Sequence, residues 1–271
     1  MNRCLRPTLL TVALCAALPL HASPLEADAS PTELAAVRVQ ARQAAEAPPP
    51  SSSFGVGSWK DTPASVNVLD RSLLDSRHVR TLSEIASNDA SLGDSYAPVG
   101  YYQNIAIRGF ALDTGTGYRF NGLATTGEQR IALENVQQVE ILKGEAGLAA
   151  GVMAPGGIIN YVAKRPAEVR AVTLGTDSEG TRYTALDVGH WITPRLGVRL
   201  NAAWEDSGSY IDNADGRRNF YSLAADWLIS DRSKLEVDAN YQTSAQRSAS
   251  GYQLLGATTL PRGVDRSKML G

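Results

Sequence analysis

The chain has 271 residues and a formal net charge of −2, with 26 Lys and Arg against 28 Asp and Glu, so its charge marks no nucleic-acid surface. Cys4 and Cys15 are its two cysteines. Everything beyond them lacks a thiol, a disulfide and a thiolate metal site, as suits passage through an oxidising compartment.

The first element is a secretory signal: Arg3 and Arg6 precede an apolar run, 8–20, that is too short to span a bilayer, and Leu20-His21-Ala22 places cleavage after Ala22. Beyond it no stretch reads as a transmembrane helix, so a membrane role must use strands. Residues 23–60, rich in Ala, Pro and Ser, read as a disordered linker. A β-prone island interrupts it at 33–41, where Val37 and Val39 alternate with polar neighbours.

Residues 61–166 read as one small α+β domain. Strands are expected at 65–69, 105–108, 118–121, 136–142 and 158–162, with Val136, Val139, Ile141 and Leu142 as core candidates. Short helices are expected at 70–77 and 81–86. Asp70 and Thr81 suit their N-caps, and Glu84 stands three residues after Thr81 at capping-box spacing. The glycines at 144, 147, 151, 156 and 157 permit tight turns and close backbone packing. No Lys-Ser/Thr follows them at the spacing of a phosphate-binding loop.

From residue 168 the pattern changes to period two with a strongly polar second face. In 196–205, Val198, Leu200, Ala202 and Trp204 alternate with Arg199, Asn201, Ala203 and Glu205; 218–228 and 234–244 repeat the pattern. Segments 169–177 and 182–191 are weaker members, and Trp191 falls on the same face as Asp187 against the pattern. Thr193-Pro194-Arg195 and Ser230-Asp231-Arg232 are tight turns, whereas 206–217 and the stretch from 245 are long and polar. That asymmetry, with Trp204 and Trp227 near opposite ends of their strands, is the pattern of an outer-membrane barrel, and a soluble β-sandwich with one wet face is the other reading of the strands alone. The fold class expected is therefore an α+β plug domain followed by antiparallel transmembrane β-barrel strands, at 167–271, that do not complete a barrel. No catalytic constellation appears, since His78 and His190 have no Ser or Cys nucleophile in recognisable context, and no His, Cys and carboxylate group has metal-ligand spacing.

From about Asp61 onward the chain resembles the N-terminal part of TonB-dependent outer-membrane receptors, in the branch that imports ferric siderophores. The residues that carry the resemblance are Asp61-Thr62-Pro63-Ala64-Ser65-Val66, Ile107-Arg108-Gly109-Phe110, Asn121-Gly122-Leu123, Glu134-Asn135-Val136, Val139-Glu140-Ile141-Leu142-Lys143-Gly144, and Pro155-Gly156-Gly157-Ile158-Ile159-Asn160 with Lys164-Arg165-Pro166. Glu145 stands where the family usually has Pro, and Ala150 where it often has an aromatic. The resemblance implies a barrel lumen filled by the chain's own plug domain. It also implies a TonB-coupling segment, for which Glu33, Leu34, Ala35, Ala36, Val37, Arg38 and Val39 are the candidates, able to add as a strand to TonB of the TonB–ExbB–ExbD complex. Arg108 and Lys143 are implied to pair with barrel carboxylates and hold the plug. Tyr96, Tyr101, Tyr102, Gln103, Thr114 and Tyr118 are the candidates for contact with a ferric siderophore; a tyrosine offers a flat apolar face and a hydroxyl. Iron is expected only inside its chelator, with no cofactor of the protein's own. The expected location is the outer membrane of a Gram-negative bacterium, with its lipid as a further partner. Two other readings remain at this point, a passive porin-like barrel and a truncated product that does not transport.

Overall fold

Val66 and Val68 alternate with Ser65 and Asn67, and that stretch forms β1 (Ser65–Asp70), the edge of the first sheet. The computed structural model describes residues 65–96, 99–144 and 154–249 and the positions 259, 263, 265, 267 and 268. All of these lie in one unit of the chain, Ala44–Gly271. The coupling candidates at 33–39 lie outside the described residues.

Two short helices follow β1, and local side chains start both. Asp70 caps α1 (Arg71–Ser76) by accepting from the Leu73 amide at 2.8 Å. Thr81 caps α2 (Leu82–Ala86) in a complete capping box: the Glu84 amide donates to the Thr81 hydroxyl at 3.3 Å, and the Thr81 amide donates to the Glu84 carboxylate at 3.0 Å. The apolar residues each helix buries, Leu74 and Ile85, drop into the core of the domain.

Next come β2 (Leu92–Tyr96), β3 (Asn104–Ile107) and β4 (Phe110–Ala111), which make a small sheet of their own. The main sheet adds β5 (Tyr118–Phe120), β6 (Leu123–Ala124), β7 (Val136–Lys143) and β8 (Gly157–Ala163), in the order β1-β7-β8-β5-β6. Its one parallel pair is β5 with β8. Val139 and Ile141 on β7 and Ile159 and Tyr161 on β8 point to one face, where they meet Ile105, Ile107 and Tyr118 in the core. The other face of β8 carries Ile158, Asn160 and Val162, which are buried as well. A strand covered on both sides needs a nearly continuous apolar run, and β8 has one broken only by Asn160, whose side chain donates to Glu140 at 2.7 Å and accepts from the Gly122 amide at 2.9 Å. At its start a side chain on Gly157 (φ 130°) would collide with the Leu142 carbonyl, so β7 and β8 close on each other through glycine alone.

After Ala163 the chain enters a second sheet, a plain antiparallel meander of β9 (Val169–Thr176), β10 (Arg182–Thr193), β11 (Leu196–Ser207), β12 (Gly216–Ser230) and β13 (Ser233–Gln246). The links β10–β11 and β12–β13 are tight turns, and those at the other end are longer. The sheet is open, with β9 and β13 as its edges among the described residues. Eight strands is the least that closes a barrel of this type.

Its two faces differ as alternation requires. Val172, Leu174, Leu186, Leu200, Leu223, Leu235 and Val237 stand exposed on one. Arg199, Asn201, Glu205, Arg218, Ser222 and Asp226 are buried on the other, against the first domain. Trp204, Tyr221 and Tyr241 form a belt near the long-loop end, with the Trp204 indole donating to the Tyr221 hydroxyl at 3.0 Å. Trp227, paired with Leu196, lies at the tight-turn end. The eight steps from Leu196 to Trp204 run about 27 Å along the strand. A tilt of ~40° brings that to about 20 Å, near the ~25 Å apolar band of an outer-membrane barrel.

The structure explains Trp191. It faces inward with Asp187, opposite Gly197, and a side chain on Gly197 would meet both its ring, at 3.0 Å, and the Pro166 side chain, at 2.6 Å. The indole fills the inner face where the chain leaves the first domain.

Candidate functional site

The first domain is held on the sheet by ion pairs at two levels. At the long-loop end Arg218 of β12 lies between two carboxylates. It pairs with Glu134, just ahead of β7, through both arms of its guanidinium, and with Glu205 of β11 at 2.8 Å. Arg130 reaches the same Glu205 at 3.0 Å, and the Tyr183 hydroxyl donates to Glu134 at 3.0 Å. The result is an alternating row, Arg130–Glu205–Arg218–Glu134, with two charges of each sign. Arg218 is 2 % exposed, so removing one member would strand a buried charge. Burial alone would raise the Glu134 carboxyl, but the Arg218 guanidinium and the Tyr183 hydroxyl outweigh it and hold the group below the usual range.

At the tight-turn end the exit of β8 is clamped. Lys164 pairs with Asp187 at 2.7 Å, and Arg199 meets the same carboxylate at 2.8 Å while donating to the Arg165 carbonyl at 3.0 Å. The Arg165 guanidinium spans Asp226 of β12 at 2.6 Å and Asp238 of β13 at 2.7 Å. Asn121, in the turn between β5 and β6, donates to Asp238 at 3.1 Å. An arginine fork suits this bridging of two strands, where a lysine would make one point contact.

Neither level uses the two cations expected to dock the domain. Arg108 sits exposed in the turn between β3 and β4, in the left-handed region at φ 53°. Among the described residues Lys143 pairs with Asp89, inside the domain. Asp89 also accepts from the Asn67 amide at 2.8 Å, the Ser91 amide at 2.9 Å and the Ser91 hydroxyl at 2.7 Å. Burial by itself would raise the Asp89 carboxyl; Lys143 and these donors hold it well below the usual carboxylate range.

Of the six residues expected at a ligand surface, three come together. Tyr96, Tyr101 and Tyr102 form a cluster with ring centroids 5.1 to 6.4 Å apart, and Tyr96 and Tyr101 are 43 % and 56 % exposed. Their loop touches the chain just beyond β13, where the Ala249 amide donates to the Val99 carbonyl at 3.0 Å. The cluster therefore lies at the long-loop mouth. Gln103 does other work: its side-chain oxygen accepts from the Leu82 and Ser83 amides at 3.1 and 3.4 Å and completes the start of α2. Thr114 donates to Glu128 at 3.2 Å.

Tyr118 is fully buried, which corrects its place at the surface. Its hydroxyl donates to Asn104 at 2.6 Å and accepts from the Ile105 amide at 3.2 Å, and burial pushes the phenol up to about 12. Gly127 lies flat on its ring, where any side chain would collide. Arg80, from the link between the helices, stacks over Tyr183 at 5.1 Å and approaches Asp177 at 3.8 Å, so the domain also touches the first long-end turn of the sheet.

Arg130, Glu134, Lys164, Arg165 and Arg80 were not singled out as docking residues from the sequence. The signal available was the run of charged residues on one face of each long strand, which must be neutralised by something if that face is buried.

Residues 58–158 match the TonB-dependent Receptor Plug Domain family. The chain is 26% identical to the ferrichrome receptor FcuA of Yersinia enterocolitica, over 74% of this chain and 28% of that protein. It is 25% identical to the ferripyoverdine receptor of Pseudomonas aeruginosa, over 68% of this chain and 23% of that protein. It thus spans about a quarter of the length of these curated relatives. Among solved structures it is similar to BauA, the ferric preacinetobactin receptor of Acinetobacter baumannii, with a TM-score of 0.71 and 23% identity over 80% of this chain and 34% of that one. It is also similar to Pseudomonas aeruginosa FpvA bound to heterologous pyoverdine, with a TM-score of 0.69 and 22% identity over 80% of this chain and 30% of that one.

Proposed function

Because the chain carries the plug domain of the TonB-dependent receptors, followed by the opening strands of a barrel, we propose that it serves in a receptor that imports a ferric siderophore across a bacterial outer membrane. The observation that carries this reading is the buried row Arg130–Glu205–Arg218–Glu134, which seats a separate domain on the polar face of a sheet whose other face is apolar. A passive porin has no use for such a stopper.

The chelate docks at the long-loop mouth, where Tyr96, Tyr101 and Tyr102 present flat faces and hydroxyls to an aromatic or hydroxamate chelator. Iron enters inside its chelator and takes no ligand from the protein. The ion pairs keep the plug in place until residues 33–39 add as a strand to TonB of the TonB–ExbB–ExbD complex, which supplies the work of displacement. A secretory signal ahead of residue 23 brings the chain to that membrane.

The test is uptake of radio-iron carried by ferrichrome, pyoverdine or a catecholate, in iron-limited cells with and without this gene and with and without TonB. Uptake of one chelate that needs both is expected. Entry that ignores TonB would favour a passive barrel, and no entry of any chelate would favour a product that does not transport.

A further inference from the structure

Burial does not hold the tyrosine cluster in place, since Tyr96 and Tyr101 are 43 % and 56 % exposed. The main chain beside it does. Gly100 stands directly before Tyr101 and Tyr102, in the left-handed region at φ 79°. A β-carbon there would lie 2.6 Å from the Arg247 carbonyl oxygen and 2.7 Å from the Ser248 Cα, closer than such atoms pack. One residue earlier, the Val99 carbonyl accepts from the amide of Ala249, which is buried. The plug loop and the chain beyond β13 thus meet main chain to main chain, at a spacing that glycine alone allows.

The barrel side of this seam is itself anchored. β13 ends at Gln246, whose side-chain amide donates at 3.0 Å to the carbonyl of Ala214, a fully buried residue in the link from β11 to β12. Residues 247–249 therefore leave the sheet from a fixed point. Gly109 and Gly180 make the contrast. Both have positive φ, at 84° and 86°, but a side chain on either would meet nothing within 4 Å. Their turns need glycine for conformation only, whereas Gly100 is needed for conformation and for contact.

We infer that Gly100 is a positioning residue of the chelate site, which seats the tyrosine loop on the barrel chain at 247–249. The inference rests on the reading of these tyrosines as the contact for the chelate. Fixing Gly100 fixes the start of Tyr101 and Tyr102 directly, and Tyr96 follows because its ring packs on Tyr102 at 5.1 Å. Main-chain contacts do not shift with side-chain rotamers, so the rings stand at one height on the rim before the chelate arrives. Little ordering is then left for binding to do, and a preorganised site binds more tightly for the same contacts. The site is composite: the plug supplies the rings, and the chain after β13 supplies their support. A loop lifted off this seam keeps its three tyrosines and loses affinity, with the work of transport unchanged once the chelate is bound.

The experiment uses the full-length receptor in iron-limited cells, with ferrichrome, ferripyoverdine and a ferric catecholate as radio-iron probes. For the probe that the parent takes up, Gly100→Ala should raise the half-saturating concentration at least tenfold and leave the maximal rate at the parental level. Gly109→Ala carries the same left-handed strain without the collision and should leave both unchanged within twofold. Hydrogen exchange in the purified receptor supplies a second readout: the Ala249 amide should exchange at least tenfold faster in Gly100→Ala than in Gly109→Ala, with the amides of β7 and β8 unaffected. Ala249→Pro removes the donor from the other side and should reproduce the weakened half-saturation, which serves if Gly100→Ala does not assemble. Half-saturation at the parental value in both Gly100→Ala and Ala249→Pro, or an equal loss in Gly109→Ala, overturns the role. A parent that binds none of the three probes removes the siderophore reading and the role together, whereas a parent that binds beside a Gly100→Ala variant that binds equally well removes the role alone.

Discussion

Arg218 is the residue on which the seating of the plug turns, because among the described residues it is the one cation between two buried carboxylates. Arg218→Ala leaves Glu134 and Glu205 facing each other without it, and losing one partner of a buried ion pair costs about 3–5 kcal/mol. The check is denaturant unfolding of the full-length receptor, with protease sensitivity of the plug as second readout; a loss under ~1 kcal/mol would show the row to be solvated and weak. Residues of this kind were half legible. Alternation along β11 and β12 showed that Arg199, Glu205 and Arg218 share the polar face. The partners on the plug lie 75 and 84 positions away in the chain, and no local pattern reports which of many charges will be brought opposite. The structural work of Tyr118 and Gln103 escaped for the related reason. A tyrosine and a glutamine in a loop-like stretch look like ligand contacts, but the parallel pairing of β5 with β8 turns Tyr118 into the core, and the open start of α2 claims Gln103.

At the scale of elements, what could be read from sequence was whatever repeats or caps locally. The five strands of the second sheet alternate because one face is apolar and exposed and the other packs on the first domain, and both helices carry their own N-caps. β2, β4 and β6 escaped because two to five residues without alternation become strands only through their neighbours' hydrogen bonds. The lipid face yields a direct prediction. Leu223 lies midway along β12, paired with Leu200 and Ala239, and points outward. Leu223→Arg should cost roughly 2–4 kcal/mol of folding free energy in vesicles, as a cation does at the bilayer midplane. A titration that shows no loss would place this face in water. The end of β7 gives another. Lys143 and its fellow donors depress the Asp89 carboxyl, so the tie stabilises the fold above the carboxyl's unfolded pKa of about 4 and is lost as pH falls through the lower folded value. The stability difference between the parent and Lys143→Met should therefore be full at neutral pH and shrink in acid below about pH 4. A difference that is constant with pH would mean that Lys143 acts through its aliphatic stem and not through Asp89.

For the whole molecule, docking and coupling occupy different parts of the chain. The plug is clamped at the long-loop end by Arg218 and at the other end by Lys164 and Arg165, directly after β8. The proposed coupling segment comes before β1, which is an edge strand bonded on one side to β7. A pull from the N-terminal side thus meets an edge strand of the plug first, ahead of the clamp after β8. Binding at the mouth, as proposed, is expected to need neither the segment nor the pull. It follows that a change confined to residues 33–39 should separate the two functions. Val37→Pro removes a backbone donor from a segment that must pair along an edge, and proline is poorly tolerated in such a ladder. In the full-length receptor it should abolish uptake of the chelate while binding to whole cells stays at the parental level. Arg218→Ala should do the reverse of this separation, loosening the plug with the coupling segment untouched, so that small solutes leak through without TonB. Uptake at the normal rate by Val37→Pro would remove residues 33–39 as the coupling segment and send the search to the stretch between residue 41 and β1.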